Sequence, residues 1–151
     1  MVKKIHNVIF CSDVGNGPNT TSDTFFYDWT QIPDVPYKVI FTFISGIATF
    51  ANTSVPTIFI DLGQSNNQIA MAQNGSNINY NNSFLGSLFY YGSGVNLQLS
   101  ADVSTNPPTF INSRPKSNNI TVEIHRNLAP FTADYNYTPT AYTLILSFEE
   151  I

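Results

Sequence analysis

Residues Ala141 to Phe148, with the sequence AYTLILSF, decide the fold class of this chain. Large apolar side chains recur at every second position of the stretch, at Tyr142, Leu144, Leu146 and Phe148. The positions between them are Thr143, Ile145 and Ser147. Because successive side chains of a β-strand point to opposite faces, a period of two is typical of a half-buried strand. The stretch therefore predicts a strand whose tyrosine, leucine and phenylalanine side chains enter the core.

The same alternation elsewhere predicts a chain built from strands. Val95, Leu97 and Leu99 alternate with polar residues, and so do Ile120, Val122 and Ile124. Apolar, β-branched or aromatic runs predict further strands at Ile5–Cys11, Thr24–Trp29, Tyr37–Ile44, Thr57–Leu62, Ile69–Gln73 and Ser87–Tyr91. Because the run Tyr37–Ile44 is almost continuously apolar, it predicts that both of its faces are covered. No stretch shows a clear helical stripe.

The number and spacing of these strands favour one architecture. A chain of 151 residues fits a single domain that needs no metal or disulfide to hold its core. Eight or more short strands separated by Asn, Gly and Pro turns predict an all-β single jelly roll. Such a fold is a β-sandwich of two antiparallel sheets with little or no helix. We expect the jelly roll over residues 37–151. Residues 1–36 form either an N-terminal arm, which adds a strand or reaches a neighbour, or a first hairpin.

The charge content narrows the class of partner. Charged residues make up 11% of the chain, against about 25% in ordinary domains, and the net charge is −4. The six lysines and arginines are scattered, whereas binding to a phosphate backbone needs them clustered, so we expect no direct nucleic-acid partner. The most apolar window, Val39–Ala51, is too short and too interrupted for a membrane span. The N-terminus does not resemble a signal peptide, so we expect no secretion by that route.

The residues that could carry chemistry do not form a recognisable site. His6 and His125 lie in no catalytic motif, and the adjacent Glu149 and Glu150 point to opposite faces if they lie on a strand. There is no Cys/His zinc spacing, and the early acids Asp13, Asp23, Asp28 and Asp34 show no calcium-loop pattern. The sequence therefore predicts no catalytic, cofactor-binding or metal-ligating residue, no cofactor and no enzymatic activity. The single cysteine, Cys11, is predicted to be a small buried residue of a strand.

One long segment is almost free of charge. From Val39 to Ala101 the only charged residue is Asp61. Isolated domains use charge to protect their surfaces and sheet edges, whereas interface centres are depleted in charge and enriched in Tyr and Phe. The segment thus predicts a contact surface, although an AT-rich coding genome would also enrich Asn, Ile, Tyr and Phe. Candidate exposed aromatics are Trp29 and the pair Tyr90–Tyr91, with a place in the ordinary core as the alternative for each.

Four motifs together resemble a known class of protein. They are PTIFIDLG at Pro56–Gly63, NPPTFINSRP at Asn106–Pro115, NITVEI at Asn119–Ile124 and YTLILSFE at Tyr142–Glu149. Over residues 37–151 the chain resembles the small jelly-roll minor capsid and vertex (penton-like) proteins of large double-stranded DNA viruses and virophages. The resemblance covers strand and turn patterns that also recur in other β-sandwiches, and it does not extend to the first 36 residues.

The resemblance implies a non-enzymatic structural protein of a virion, acting as a minor capsid, vertex or cement protein. Its partners would be other capsid proteins and further copies of itself, in a trimer or pentamer. It would be located in virions assembled in the host cytoplasm and would need no cofactor. A second hypothesis is a carbohydrate- or receptor-binding β-sandwich module, such as a fibre or spike head. A β-sandwich hydrolase is a third and more distant alternative.

Overall fold

The computed structural model describes residues 2–12, 22–46, 57–62, 70–74, 77–81, 84–93, 96–102, 104, 106–125 and 141–151. These residues contain twelve strands and a 3₁₀ turn at Trp29–Gln31, and no α-helix. The strands are β1 (Ile5–Cys11), β2 (Ser22–Phe26), β3 (Tyr37–Ser45), β4 (Thr57–Ile60), β5 (Ala70–Asn74), β6 (Asn77–Asn81), β7 (Phe84–Ser87), β8 (Phe89–Ser93), β9 (Asn96–Ala101), β10 (Thr109–Ile111), β11 (Asn119–His125) and β12 (Tyr142–Glu150).

Most of the strands belong to two antiparallel sheets packed face to face. The first sheet has the order β1-β12-β3-β9-β8, and β10 also pairs with β3. The second sheet has the order β2-β11-β4-β7, and β5 and β6 form a separate two-stranded hairpin. The prediction of an all-β sandwich of two antiparallel sheets is therefore confirmed.

The strand pairs of the sandwich are nested. β1 pairs with β12, β2 with β11, β3 with β9 and β4 with β7. Strands from the first half of the chain thus meet strands from the second half in reverse order. The nested pairs fall alternately in the first and the second sheet, and each sheet is joined by a further pairing, β12 with β3 and β11 with β4.

The core lies between the sheets and follows the predicted alternation. Tyr142, Leu144, Leu146 and Phe148 of β12 are all buried, as are Ile120, Val122 and Ile124 of β11. The predicted burial of both faces of Tyr37–Ile44 is wrong, because Ile44 is 54% exposed and Thr42 is also exposed. The run is nearly continuous in apolarity because Ile40 and Ile44 stand on the outward phase of β3, opposite to its buried phenylalanines.

Some predicted strands differ in extent from the strands of the structure. The segment Thr24–Trp29 is a strand only as far as Phe26. Asp28 then caps the 3₁₀ turn, because its Oδ1 accepts hydrogen bonds from the backbone N–H of Thr30 at 3.0 Å and from Thr30 Oγ1 at 2.7 Å. Such local bonding by an aspartate competes with strand pairing.

The segment Ser87–Tyr91 is two strands, with buried Leu88 between them. β7 lies in the second sheet and β8 in the first, so the chain crosses the sandwich here. The Asn106 side chain supports the crossing, since its Oδ1 accepts the Ser87 N–H at 2.9 Å and its Nδ2 donates to the Ser87 C=O at 3.0 Å. A side chain thus supplies pairing that the apolar pattern alone cannot predict.

The early strands are part of the same sandwich. β1 pairs with β12 over seven residues in the first sheet, and β2 pairs with β11 in the second. Each therefore adds a strand to a different sheet, and β1 and β2 do not pair with each other. Residues 13–21, between them, lie outside the described part of the chain.

Candidate packing surface

The outer face of the first sheet is formed by the side chains that alternate with the core residues of three neighbouring strands. The outward residues of β1, β12 and β3 are Ile5, Asn7, Ile9, Cys11, Thr143, Ile145, Ser147, Glu149, Lys38, Ile40, Thr42 and Ile44. The strand registers align them in rows across the sheet. Ile9 stands beside Ile145 and then Thr42, while Cys11 stands beside Thr143 and then Ile44. The three strands therefore present one continuous surface.

Four isoleucines dominate this surface: Ile9, Ile40, Ile44 and Ile145. We call them the isoleucine patch. Ile9 is 59% exposed and Ile44 54% exposed, while Ile40 and Ile145 are half-buried by their neighbours. Because adjacent strands lie about 4.8 Å apart, these side chains are close enough to form one apolar area and not four isolated contacts.

The charges of this face are confined to one end. Glu149 accepts from Lys38 at 3.3 Å, and its other carboxylate oxygen lies 3.7 Å from Nζ of Lys3. Phe110 of β10, next to Lys38 in the register, is 43% exposed beyond them. The middle of the face carries only neutral polar groups beside the isoleucines, such as Asn7, whose Oδ1 accepts a hydrogen bond from Ser147 Oγ at 2.7 Å. The isoleucine patch is therefore uncharged and bounded on one side by a cluster of paired charges.

A shallow groove of about 290 Å³ opens at the other end of the same sheet. It is lined by Cys11, Ser12, Ile44, Ser45, Gly46, Ala141, Tyr142 and Thr143. Cys11 is exposed, with its Sγ 3.7 Å from Thr143 Oγ1, so the prediction that it is buried is wrong. The strand itself is as predicted, but Cys11 falls on its outward phase, like Ile9.

Trp29 belongs to the core and not to a contact surface. It is 2% exposed, and its indole Nε1 donates to the Ser117 carbonyl at 2.9 Å. Its ring meets Tyr27 and Phe148 edge to face, with centroids 4.7 and 5.3 Å away. The alternative of an ordinary core position is therefore the correct one for Trp29. Tyr90 and Tyr91 lie in β8, but their side chains fall outside the described part of the structure.

The titratable residues singled out from the sequence are separated by the sheet. Glu149 faces outward, whereas Glu150 faces inward and places its Oε1 2.9 Å from Nε2 of His6, so their predicted divergence is confirmed. The His6 ring also meets Tyr37 edge to face, with centroids 6.2 Å apart. His125 ends β11, and its side chain is not among those described.

Three of the four early aspartates make structural contacts, and Asp13 lies outside the described residues. Asp23 accepts a hydrogen bond from the Tyr142 hydroxyl at 2.7 Å, and Asp34 pairs with Lys116 at 2.9 Å. The hydrogen bond from Lys116 lowers the pKa of Asp34, and the hydroxyl of Thr30 does the same for the pKa of Asp28. Within the described ranges, no three His, Cys, Asp or Glu side chains come together in a way that could hold a metal ion.

No protein-family model matches this chain, and a search of curated proteins finds no match. None of the helical segments in the described residues is long and apolar enough to cross a membrane.

The isoleucine patch only partly coincides with the low-charge segment that the sequence predicts to be a contact surface. Residues 39–45 of β3 lie within the low-charge stretch Val39–Ala101, but β1 and β12 come from the two ends of the chain. The signal that could have revealed them is the presence of Ile9 and Ile145 on the phase opposite to the core residues of their strands. What the sequence could not supply is the pairing that brings the three strands side by side.

Proposed function

We propose that this chain is a non-enzymatic structural subunit of a virion, a jelly-roll minor capsid, vertex or cement protein. It works by packing the outer face of its first sheet against neighbouring capsid proteins or further copies of itself. The observation that carries the proposal is the uncharged, exposed isoleucine patch on a regular β-sandwich. The enzymatic alternatives have less support, because Asp23, Asp28 and Asp34 are each engaged in a structural contact.

The nested pairing supports the jelly-roll part of the proposal. When the eight paired strands β1, β2, β3, β4, β7, β9, β11 and β12 are counted along the chain, the first meets the eighth, the second the seventh, the third the sixth and the fourth the fifth. A long antiparallel hairpin rolled so that alternate pairs fall in opposite sheets gives this arrangement. Two interlocked Greek keys of eight strands are the definition of a jelly roll, a fold used by viral capsid proteins and by lectins.

The energetics of the patch support packing as the role. Complete burial of an isoleucine side chain is worth about 1.5–3 kcal/mol. Ile9 and Ile44 keep more than half of their surface in water, so their burial in an interface would add about 1–2 kcal/mol each. Charge-free interface centres of this kind are typical of permanent assemblies.

The experiment is a measurement of molar mass in solution by light scattering, over a range of concentrations. We expect the wild-type chain, whose monomer mass is 16.8 kDa, to form a defined oligomer, a trimer or pentamer. Ile44→Lys places a charge in the patch and should abolish the trimer or pentamer. Phe26→Lys is the matched control, since Phe26 is a 74% exposed residue of the second sheet, and it should leave the oligomer intact.

Two outcomes would contradict the proposal. One is a wild-type chain that stays monomeric at high concentration and does not bind to particles. The other is an oligomer that Phe26→Lys disrupts and Ile44→Lys does not, which would move the interface to the second sheet. Thermal unfolding of both variants, followed by circular dichroism, controls for loss of the fold.

The alternative function, a carbohydrate- or receptor-binding module, has weaker support. Lectin-like binding would be expected to use exposed aromatic rings, and Trp29 lies in the core. A glycan array probed with the wild-type chain tests it, and reproducible binding to one glycan class would favour this alternative over the structural role.

A further inference from the structure

Among the strands that the structure describes, β1 is the outermost of the first sheet, and its sequence lacks the residues that usually protect an edge. Among the described strands, only β12 pairs with it. Their ladder runs without a shift from Ile5 opposite Glu149 to Cys11 opposite Thr143. Natural edge strands are commonly protected by Lys, Pro, a bulge or an inward charge. The segment Ile5–Cys11 contains no Lys, Arg, Asp, Glu or Pro, and its only ionisable side chains are His6 and Cys11.

Two hydrogen bonds determine which backbone groups face the open edge. The Lys4 carbonyl accepts from the Glu150 N–H at 3.0 Å, and the Ser12 N–H donates to the Tyr142 carbonyl at 3.0 Å. In an antiparallel ladder, hydrogen-bonded pairs alternate with pairs that make no such bonds. The even-numbered residues of β1 therefore bond to β12. The N–H and C=O groups of Ile5, Asn7, Ile9 and Cys11 point away from the sheet.

We propose that β1 pairs antiparallel with β1 of a second copy of this chain, about a two-fold axis at Val8. In this register Ile5 lies opposite Cys11 of the second copy, and Asn7 lies opposite its Ile9. All four residues with edge-facing backbone groups then form hydrogen-bonded pairs, on both copies at once. A register centred on Asn7 or on Ile9 would pair only three of the four within β1. A register shifted by one residue would place the bonding groups out of phase.

The strand is thus complementary to itself, and this favours a second copy over a foreign segment as the occupant. A two-fold contact of this type closes on itself, so it links copies of the chain in pairs and does not by itself build an open fibre. The affinity of such strand addition comes from main-chain hydrogen bonds. Because Ile5 and Ile9 both face outward, pairing would also join the outer faces of the two first sheets into one surface. The inference rests on the proposed packing function and names one of its contacts.

A disulfide trap tests the register directly. In the proposed dimer, Ile5→Cys places a thiol about 5.5 Å, Cα to Cα, from Cys11 of the second copy, which is within the range of a disulfide. Within one copy, residues 5 and 11 are about 20 Å apart along the strand and cannot be bridged. Mild oxidation of Ile5→Cys should therefore give a covalent dimer of twice the 16.8 kDa chain mass, lost again on reduction. Mass spectrometry of the linked peptides should join position 5 to Cys11.

The chain offers matched controls. In wild type the two Cys11 residues of the dimer would lie about 20 Å apart. Asn7→Cys would place its thiol on the diagonal from Cys11 of the second copy, about 7–8 Å away and beyond easy bridging. Both proteins should stay monomeric on a non-reducing gel. Adding Asn7→Pro to Ile5→Cys removes an N–H that faces the open edge but none that bonds to β12, and it should abolish the covalent dimer.

Each result of the disulfide experiment supports or overturns the pairing of β1 about Val8. If Ile5→Cys gives no more covalent dimer than wild type, edge pairing is overturned. The packing function then stands or falls by its own test, light scattering of the Ile44→Lys variant. If Asn7→Cys forms the dimer and Ile5→Cys does not, the strands pair in another register and the Val8 axis is wrong. If the covalent dimer survives Asn7→Pro, the link arises by collision and not from strand pairing.

Discussion

Gly86 is a position where one added methyl group should lower the stability of the fold. It lies in β7 of the second sheet, facing a phenylalanine of the first sheet. A Cβ atom added at Gly86 would lie 2.6 Å from both Cε1 and Cζ of Phe41 and 2.5 Å from Oδ1 of Asn106. Carbon atoms in good contact are about 3.5–4.0 Å apart, so the ring and the amide would each have to move by about 1 Å. Phe41 and Asn106 are both buried, so neither can move freely.

The cost of Gly86→Ala follows from two contributions. Overpacking a buried site typically costs about 1–3 kcal/mol. Displacement of Asn106 also weakens its two hydrogen bonds to the Ser87 backbone, each worth about 0.5–1.5 kcal/mol. Replacing a strand glycine with alanine returns about 0.5–1 kcal/mol of conformational entropy. The expected net loss in the free energy of unfolding is about 2–4 kcal/mol.

Urea denaturation measures this loss. With a slope of about 1–3 kcal/mol per molar urea, the midpoint of Gly86→Ala should fall by about 1–2 M while the slope stays the same. A double-mutant cycle with Phe41→Leu identifies the cause, since a smaller side chain at position 41 should recover part of the loss. A stability within about 0.5 kcal/mol of wild type, a typical surface effect, would refute the close approach of the two sheets at Gly86.

Three further predictions concern polar contacts in the core. Asn106→Leu leaves the Ser87 N–H and C=O without their side-chain partner and should destabilise the protein by about 2–3 kcal/mol, measured in the same urea assay; a neutral result would contradict the role of Asn106 at the chain crossing. Tyr142→Phe removes the hydrogen bond to Asp23 and should cost about 1.5–3 kcal/mol near neutral pH, the range for a bond to a charged group. Burial raises the pKa of Tyr142 above its ordinary value of 10.0. The corresponding stability is present below about pH 10 and is lost as the pH rises further, by about 1.4 kcal/mol per pH unit. Tyr142→Phe should therefore reduce the fall of the urea midpoint above about pH 10. If the fall is unchanged, other groups cause it, such as Tyr37, whose pKa burial also raises.

The strands and their buried faces were largely predictable because alternation is a local property. Each residue of β12 and β11 shows its face through its neighbours two positions away. The errors in strand boundaries arose where a side-chain contact overrides the pattern. Asp28 ends a strand by capping a turn, and Asn106 supports the crossing inside an apolar run that carries no turn residue. The Ser87 backbone that Asn106 contacts is 19 positions away, so the order of residues along the chain does not reveal this partner.

The isoleucine patch was predictable only in part, for a related reason. An isoleucine on the polar phase of a strand is visible in the sequence, as Ile9 and Ile145 are. Whether several such residues form one surface depends on which strands are neighbours and in what register. The rows joining Ile9 to Ile145, and Cys11 through Thr143 to Ile44, depend on pairings between residues more than 90 positions apart. Low charge along one segment coincides with the β3 part of the patch, but it could not include strands from the two ends of the chain.

The isoleucine patch and the open edge of β1 are both surfaces that an isolated chain would leave exposed to solvent. A monomer that exposed an uncharged isoleucine patch beside a straight, unprotected edge strand would expose the two features that most promote aggregation of β proteins. Charge at Ile9 or Ile44, or a proline at Asn7, would remove either liability without disturbing the core, because these residues face outward or direct their N–H groups away from β12. That the chain instead carries isoleucine and asparagine at these positions favours surfaces that are covered in the working protein. The proposed assembly would cover both. Because Ile9 lies in both surfaces, Ile9→Lys should weaken face packing and edge pairing together.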